Sequence, residues 1–165
     1  METERLVLRP FTATDLDALH ALWTDPDVRR YLWDNRELSR DDTSEIIEKS
    51  IELHREEAAG LWAVERKGKP GLVGFGGYWY FGEPPQLQIL FGLQPEHWGM
   101  GLATDLASCL IQYGFGTLRL RRVIGATDRA NVSSQRVMEK AGMRFVERVR
   151  NRDSDLMYYA IDRPE

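Results

Sequence analysis

The sequence predicts an α/β chain of the α+β kind, with about seven strands and about four helices around one mixed sheet. Three observations carry this expectation. Apolar residues recur at helical spacing up to Gly60 and at extended spacing from there to Leu93. Between Leu87 and Thr127 a strand, a glycine-rich turn, a helix and a strand follow one another, the pattern of a βαβ unit whose strands run parallel with a right-handed crossover. The chain then closes on a helical run and two extended runs around Asn151-Arg152-Asp153-Ser154. At 165 residues it fits one domain, residues 1–165, long enough to bury about two-thirds of its unfolded surface.

Each element has a local reason. Glu4–Arg9 alternates charged and apolar residues until Pro10 stops it, giving a first strand. Thr14-Asp15-Leu16-Asp17 is read as a capping box, followed by Leu16, Leu19, Leu22 and Trp23 at helical spacing as far as Pro26. Asp27–Leu32 adds a turn or two. Ser39-Arg40-Asp41-Asp42 caps a longer helix with the stripe Ile47, Ile51 and Ala58, flanked by Ile46 and Leu53, and Gly60 ends it. Leu61–Arg66 and Leu72–Phe81 form a hairpin around Lys67-Gly68-Lys69-Pro70-Gly71. Gly82–Pro85 turns the chain into the strand Leu87–Leu93. Ala103, Leu106, Ala107, Leu110 and Tyr113 mark a helix face, Val123–Thr127 a strand, and Ser133–Ala141 a helix closed by Gly142. Met143–Arg150 and Asp155–Ile161 complete the fold.

Composition narrows the function. With 42% apolar and 29% charged residues, and no apolar run near the roughly 20 residues that span a bilayer, the chain is expected to be soluble and to have no membrane partner. Met1-Glu2-Thr3-Glu4-Arg5 lacks the order of a secretory signal, so a cytoplasmic location is expected. The net charge of -4 argues against nucleic acid. The basic strip Arg119–Arg122 reads as a solvated strand start, with phosphate holding as its alternative. Cys109, the single cysteine, reads as a small buried side chain.

The sequence's sharpest feature is Trp98-Gly99-Met100-Gly101-Leu102-Ala103-Thr104. Small residues between a strand and a helix let backbone N–H groups approach an anion, and the helix N-terminus adds roughly half a positive charge. A Walker-type triphosphate site requires Gly-Lys followed by Ser or Thr, yet Leu102 follows Gly101. A dinucleotide site places its glycines in the first strand–helix turn and an acid at the end of the next strand. Here the motif lies past mid-chain, and Asp128 is only a partial match.

The third reading is coenzyme A, because Trp98–Thr104 resembles the pyrophosphate loop of the GNAT superfamily of N-acetyltransferases. Other segments resemble the Rim-type branch of that family, which includes ribosomal-protein N-terminal acetyltransferases. They are Arg5–Pro10 with Asp25–Leu32, then Asn131-Val132-Ser133-Ser134 with Val137–Met143. Trp98, where the wider family usually has Gln or Arg, is similar to that branch.

The resemblance implies a single GNAT-like domain, a splayed parallel pair of strands and acetyl-CoA as cosubstrate, with no metal. It implies that Phe91 and Leu93 flank a strand bulge whose backbone meets the pantetheine arm and polarises the thioester, where one such donor contributes about 3 kcal/mol in a transition state. Trp98 belongs to the same cofactor-binding set. Gly99, Met100, Gly101, Leu102, Ala103 and Thr104 would hold the pyrophosphate. Asn131 would meet the cofactor arm or cap the following helix. Ser134 would protonate the leaving thiolate or simply start that helix, with Tyr158 or Tyr159 as substitutes or acceptor-pocket lining.

The base is unassigned. Gln88 stands where Rim-type relatives commonly carry Glu, and Glu83, Glu96 and His97 lie nearby in sequence. The aromatic run Tyr78-Trp79-Tyr80-Phe81 either packs the core or walls the acceptor pocket. The implied function is transfer of an acetyl group to a primary amine, a protein N-terminus or a small molecule, by direct attack in a ternary complex. A non-catalytic acyl-CoA-binding module is the alternative. The active unit is expected to be a monomer or a homodimer.

Overall fold

Leu6–Pro10 (β1), Gly60–Arg66 (β2), Leu72–Phe81 (β3) and Gln86–Leu93 (β4) make one antiparallel sheet, ordered β1-β2-β3-β4. Arg122–Asp128 (β5), Arg144–Arg150 (β6) and Asp155–Asp162 (β7) make a second, ordered β5-β7-β6. The computed structural model describes residues 1–165. One mixed sheet with a splayed parallel pair is expected, and the seven strands form two sheets that part at that pair. β4 and β5 lie side by side but share no hydrogen-bonded ladder, so the splay is complete enough to separate the sheets.

The bulge expected at Phe91–Leu93 is absent. Pairing of β3 with β4 runs without a register shift from Phe81 opposite Gln86 to Gly74 opposite Leu93. Glycines make this regular approach possible: a Cβ on Gly92 would stand 2.7 Å from the Phe75 ring, and one on Gly74 would strike the Gly92 carbonyl. The irregularity therefore lies on the other edge of β4, where β5 leaves the strand unpaired.

Helices cover both faces. Leu16–Thr24 (α1), Pro26–Arg29 (α2) and Arg40–Glu57 (α3) precede β2, Leu102–Gly116 (α4) links β4 to β5, and Val132–Lys140 (α5) links β5 to β6. The expected capping box sits two residues earlier, at Thr12 and Asp15. The Asp15 carboxylate accepts the Thr12 N–H at 2.8 Å and is gripped at both oxygens by Arg9 at 2.8 Å. Asp15 is thus buried as part of an ion pair.

The stripe of α3 also differs from expectation. Ile51 is 39% exposed, while Ser50 and Thr43 are buried beside Ile47 and Leu53. Ser50 faces inward because its hydroxyl accepts the Leu61 N–H at 2.7 Å and donates to the Leu61 carbonyl at 3.1 Å, tying helix to strand. The helix ends at left-handed Ala58, and Gly60 opens β2 instead of closing α3.

Two apolar clusters flank the first sheet. Trp23, Phe75, Leu19 and Leu61 form one under α1 and α3, and Tyr78, Leu106, Leu110, Val123 and Met138 form the other under α4 and α5. Each fully buried Leu contributes about 1.5–3 kcal/mol. The Tyr78 hydroxyl donates to the Leu110 carbonyl at 2.7 Å, in space that Gly114 leaves open. No helix is long and apolar enough to cross a membrane.

Candidate active site

Where β4 and β5 separate, a cleft of about 530 Å³ opens between the C-terminal halves of both strands, the start of α4, the start of α5 and the α2 segment. Phe91, Gly92 and Leu93 line it from β4, and Ala126 and Thr127 from β5. Leu93 contributes less free backbone than expected, since its carbonyl accepts the Trp98 indole N–H at 2.8 Å. That bond anchors the half-exposed Trp98 ring at the rim.

The glycine loop forms one wall. Trp98, Gly99, Gly101, Leu102, Ala103 and Thr104 all line the cleft. Gly99 and Gly101 have φ of +72° and +76°, the left-handed conformation that a side chain would strain. Gly101 begins α4 with no side-chain cap, so the first N–H groups of a 15-residue helix face the cleft unspent. Met100 is the exception. Its side chain is exposed outside the cleft, and its carbonyl accepts the Arg5 Nη1 at 2.7 Å. Arg5 also pairs with Asp105 at 2.7 Å, so one guanidinium pins the loop to the first turn of α4.

The start of α5 forms the facing wall. Asn131 caps this helix, accepting the Ser134 N–H at 3.2 Å, and both residues line the cleft together with Ser133. Arg136 and Lys140, one helical turn apart, line it as well. With Arg30 from the α2 segment, three cationic side chains meet one carboxylate, Asp27, in a chain of net charge -4. The cleft therefore suits a polyanion. By contrast, Arg119–Arg122 does not line it, and Arg122 is held by Asp162 at 2.6 Å.

The expected acceptor residues scatter. Gln88 is 3% exposed, pairs opposite Trp79 and does not line the cleft. Tyr78 to Phe81 also stay outside it. Tyr80 donates to Glu57 at 2.6 Å, and the face of Trp79 is taken by the Lys49 ammonium at 5.1 Å. Tyr159 turns to α5, its hydroxyl 3.2 Å from Glu139, whereas Tyr158 lies opposite Ala126, a residue of the cleft. Glu83 and Glu96 are exposed and stay outside the lining. Asp128, at the end of β5, has its carboxyl pushed up by burial and then by the nearby carboxylates of Asp34 and Asp155. Cys109 is half-buried outside the cleft, and burial pushes its thiol up.

His97 is brought in. It is 8% exposed, lines the cleft and keeps its Nδ1 buried without a partner. Sequence reasoning missed Arg5, Arg136 and Lys140. The spacing of Arg136 and Lys140 was a signal for a cationic helix face, while the reach of Arg5 across about a hundred residues left none.

The family profile described as an acetyltransferase (GNAT) domain matches residues 5–144. The chain belongs to the GNAT acetyltransferase family. A solved GNAT-family acetyltransferase from Bacillus anthracis is 30% identical, with a TM-score of 0.82 over 98% of this chain and 97% of that one. The spermidine N(1)-acetyltransferase of Escherichia coli K12 is 29% identical over 82% of this chain and 70% of its own. The spermidine N-acetyltransferase of Vibrio cholerae, solved in complex with CoA and spermine, shares the fold at 22% identity and a TM-score of 0.79, over 97% and 96% of the two chains. Membership makes this GNAT protein an N-acetyltransferase, and its splayed strands and glycine loop belong to a fold in which neighbours bind CoA.

Proposed function

We propose that this chain transfers the acetyl group of acetyl-CoA to a primary amine, either a protein N-terminal α-amine or the amine of a small molecule. The observation that carries the reading is the uncapped, left-handed glycine start of α4, opening into a cleft with three cations. A diphosphate fits there: no side chain occupies the space over Gly99, and backbone N–H groups with no helical partner supply hydrogen bonds. Arg136 and Lys140 add charge for the phosphates. Acetyl-CoA supplies the thioester.

In this reading the pantetheine arm lies along the unpaired edge of β4 at Phe91 to Leu93, placing the thioester between the sheets. The acceptor amine gives up a proton to water, attacks the carbonyl carbon, and the new N–C bond forms as the C–S bond breaks. Ser134 donates its proton to the leaving thiolate and regains one, through water, from the nitrogen of the newly formed amide. Gln88 is an amide and accepts no proton near neutrality. An α-amine, with a pKa near 8, needs less help than a lysine amine near 10.4. The relative that acts on spermidine supports a small-molecule amine as one acceptor class.

Free-thiol release tests this. The protein is incubated with acetyl-CoA and a panel of N-terminal peptides, polyamines and aminoglycosides. Amine-dependent release is expected from at least one class, with Ser134→Ala lowering turnover more than acetyl-CoA affinity. CoA binding with no release across the panel would leave the chain a non-catalytic acyl-CoA-binding module.

A further inference from the structure

Arg5 does not line the cleft, yet its side chain reaches the loop that forms one wall. Its Nη1 donates to the Met100 carbonyl at 2.7 Å, and its Nε and Nη2 both reach the Asp105 Oδ2 at 2.7 Å. One planar fork thus holds a backbone oxygen and a carboxylate at the same time. The backbone that carries this fork is itself fixed. The Arg5 N–H donates to the Thr3 hydroxyl at 3.2 Å, and the Arg5 carbonyl accepts the Lys67 N–H at 2.8 Å. Arg5 therefore ties the loop to the first sheet, about a hundred residues away in sequence.

What the fork decides is the direction of one peptide plane. The bond between Met100 and Gly101 is trans, and in a trans peptide the C=O and the N–H point opposite ways. Holding the Met100 carbonyl on Arg5 turns the Gly101 N–H away from Arg5, and Gly101 is a cleft residue. Glycine does not make this choice alone, because it populates positive and negative φ about equally. Turned over, the plane would offer a carbonyl oxygen where it now offers an N–H, and an oxygen repels phosphate. Asp105 gives the fork a second task. Its carboxylate stands in the first turn of α4, where it favours the helix but opposes an incoming anion, and the guanidinium offsets that charge.

From this arrangement we infer that Arg5 is a positioning residue for the cosubstrate, which rests on the acetyl-CoA reading of the cleft. It acts through the loop, keeping the Gly101 N–H free for the diphosphate and offsetting Asp105, and it touches no reacting atom. The two glycines let the loop take its shape, and Arg5 selects that shape before the ligand arrives.

Calorimetric titration with coenzyme A and steady-state kinetics test it together. Arg5→Ala should raise the Kd for coenzyme A about tenfold, a loss of about 1.4 kcal/mol. With an accepted amine, the KM for acetyl-CoA should rise alike, while kcat stays within about twofold and the amine KM holds. A residue that only supported the fold would move all three. Arg5→Lys keeps the charge but has no planar fork, and should fall between, at about threefold in Kd. If Arg5→Ala does not fold, the lysine variant alone carries the test. Unchanged coenzyme A affinity in either variant would overturn the inference, as would a loss in Arg5→Ala matched by equal changes in kcat and amine KM. Binding is read without turnover, so an amine panel that yields no release leaves the titration result standing. If the parent protein binds no coenzyme A at all, the proposed function falls and this inference with it.

Discussion

Two sides of the cleft are held in different ways. The wall from Trp98 to Thr104 is tied at several points: Arg5 bonds the Met100 carbonyl and Asp105 at 2.7 Å each, and Trp98 bonds the Leu93 carbonyl at 2.8 Å. A third side of the cleft follows the four-residue α2 and runs on to Leu32. Behind its lining residues, and outside the cleft, Trp33, Asp34 and Asn35 all take positive φ without a glycine among them, and the Arg29 Nε and the Trp33 indole N–H are buried without partners. Its link across the cleft is one long bond, from the Tyr31 hydroxyl to the Ala130 carbonyl at 3.4 Å.

A wall made of fixed backbone N–H groups suits a ligand that never changes, since its groups need no rearrangement when the ligand arrives. A side backed by backbone strain and unpaired polar atoms suits a surface that adapts to its ligand. Under the proposed function the first wall would serve the acetyl donor and the α2 side the amine.

The largest break in this comparison comes from Gly101→Val. A branched side chain at φ +76° strains the loop, and its Cβ would sit 3.2 Å from the Arg5 guanidinium. The Kd for coenzyme A should rise about a hundredfold, close to 2.7 kcal/mol, in a protein whose far-ultraviolet circular dichroism is unchanged. A smaller effect separates the walls. Tyr31→Phe removes only the long bond to Ala130, and should change the amine KM about threefold in steady-state assays while coenzyme A affinity stays put. A shift in coenzyme A affinity of the same size would show the walls to be coupled.

How much was legible followed from how local each cause was. β3 was read at both ends because Leu72–Phe81 lies between turn signals and carries strand-forming residues throughout. The glycine loop was legible because positive φ and a close backbone approach demand glycine at Gly99 and Gly101. What depended on distant partners was hidden. Ser50 is buried for the sake of Leu61, Asp15 for Arg9, and the Arg5 clamp joins β1's approach to α4. The splay of β4 from β5 is as the family resemblance implies, but its extent, a full break of the ladder into two sheets, has no local sequence signal. The left-handed turn at Trp33–Asn35 carries no glycine signal, and packing of Trp33 against Trp23 and Trp79 holds it in place.

Under the proposed function, free amides at the start of α4 are the groups that bind the acetyl donor. Hydrogen exchange, measured amide by amide with and without coenzyme A, tests it most directly. Leu102, Ala103 and Thr104 have no helical acceptor for their N–H groups and should exchange fast in the free protein, as should Gly99 and Gly101. Coenzyme A should slow these amides and those of Phe91 to Leu93 more than any others. Protection centred elsewhere, with the Gly99–Thr104 amides still exchanging fast in the saturated protein, would contradict the account.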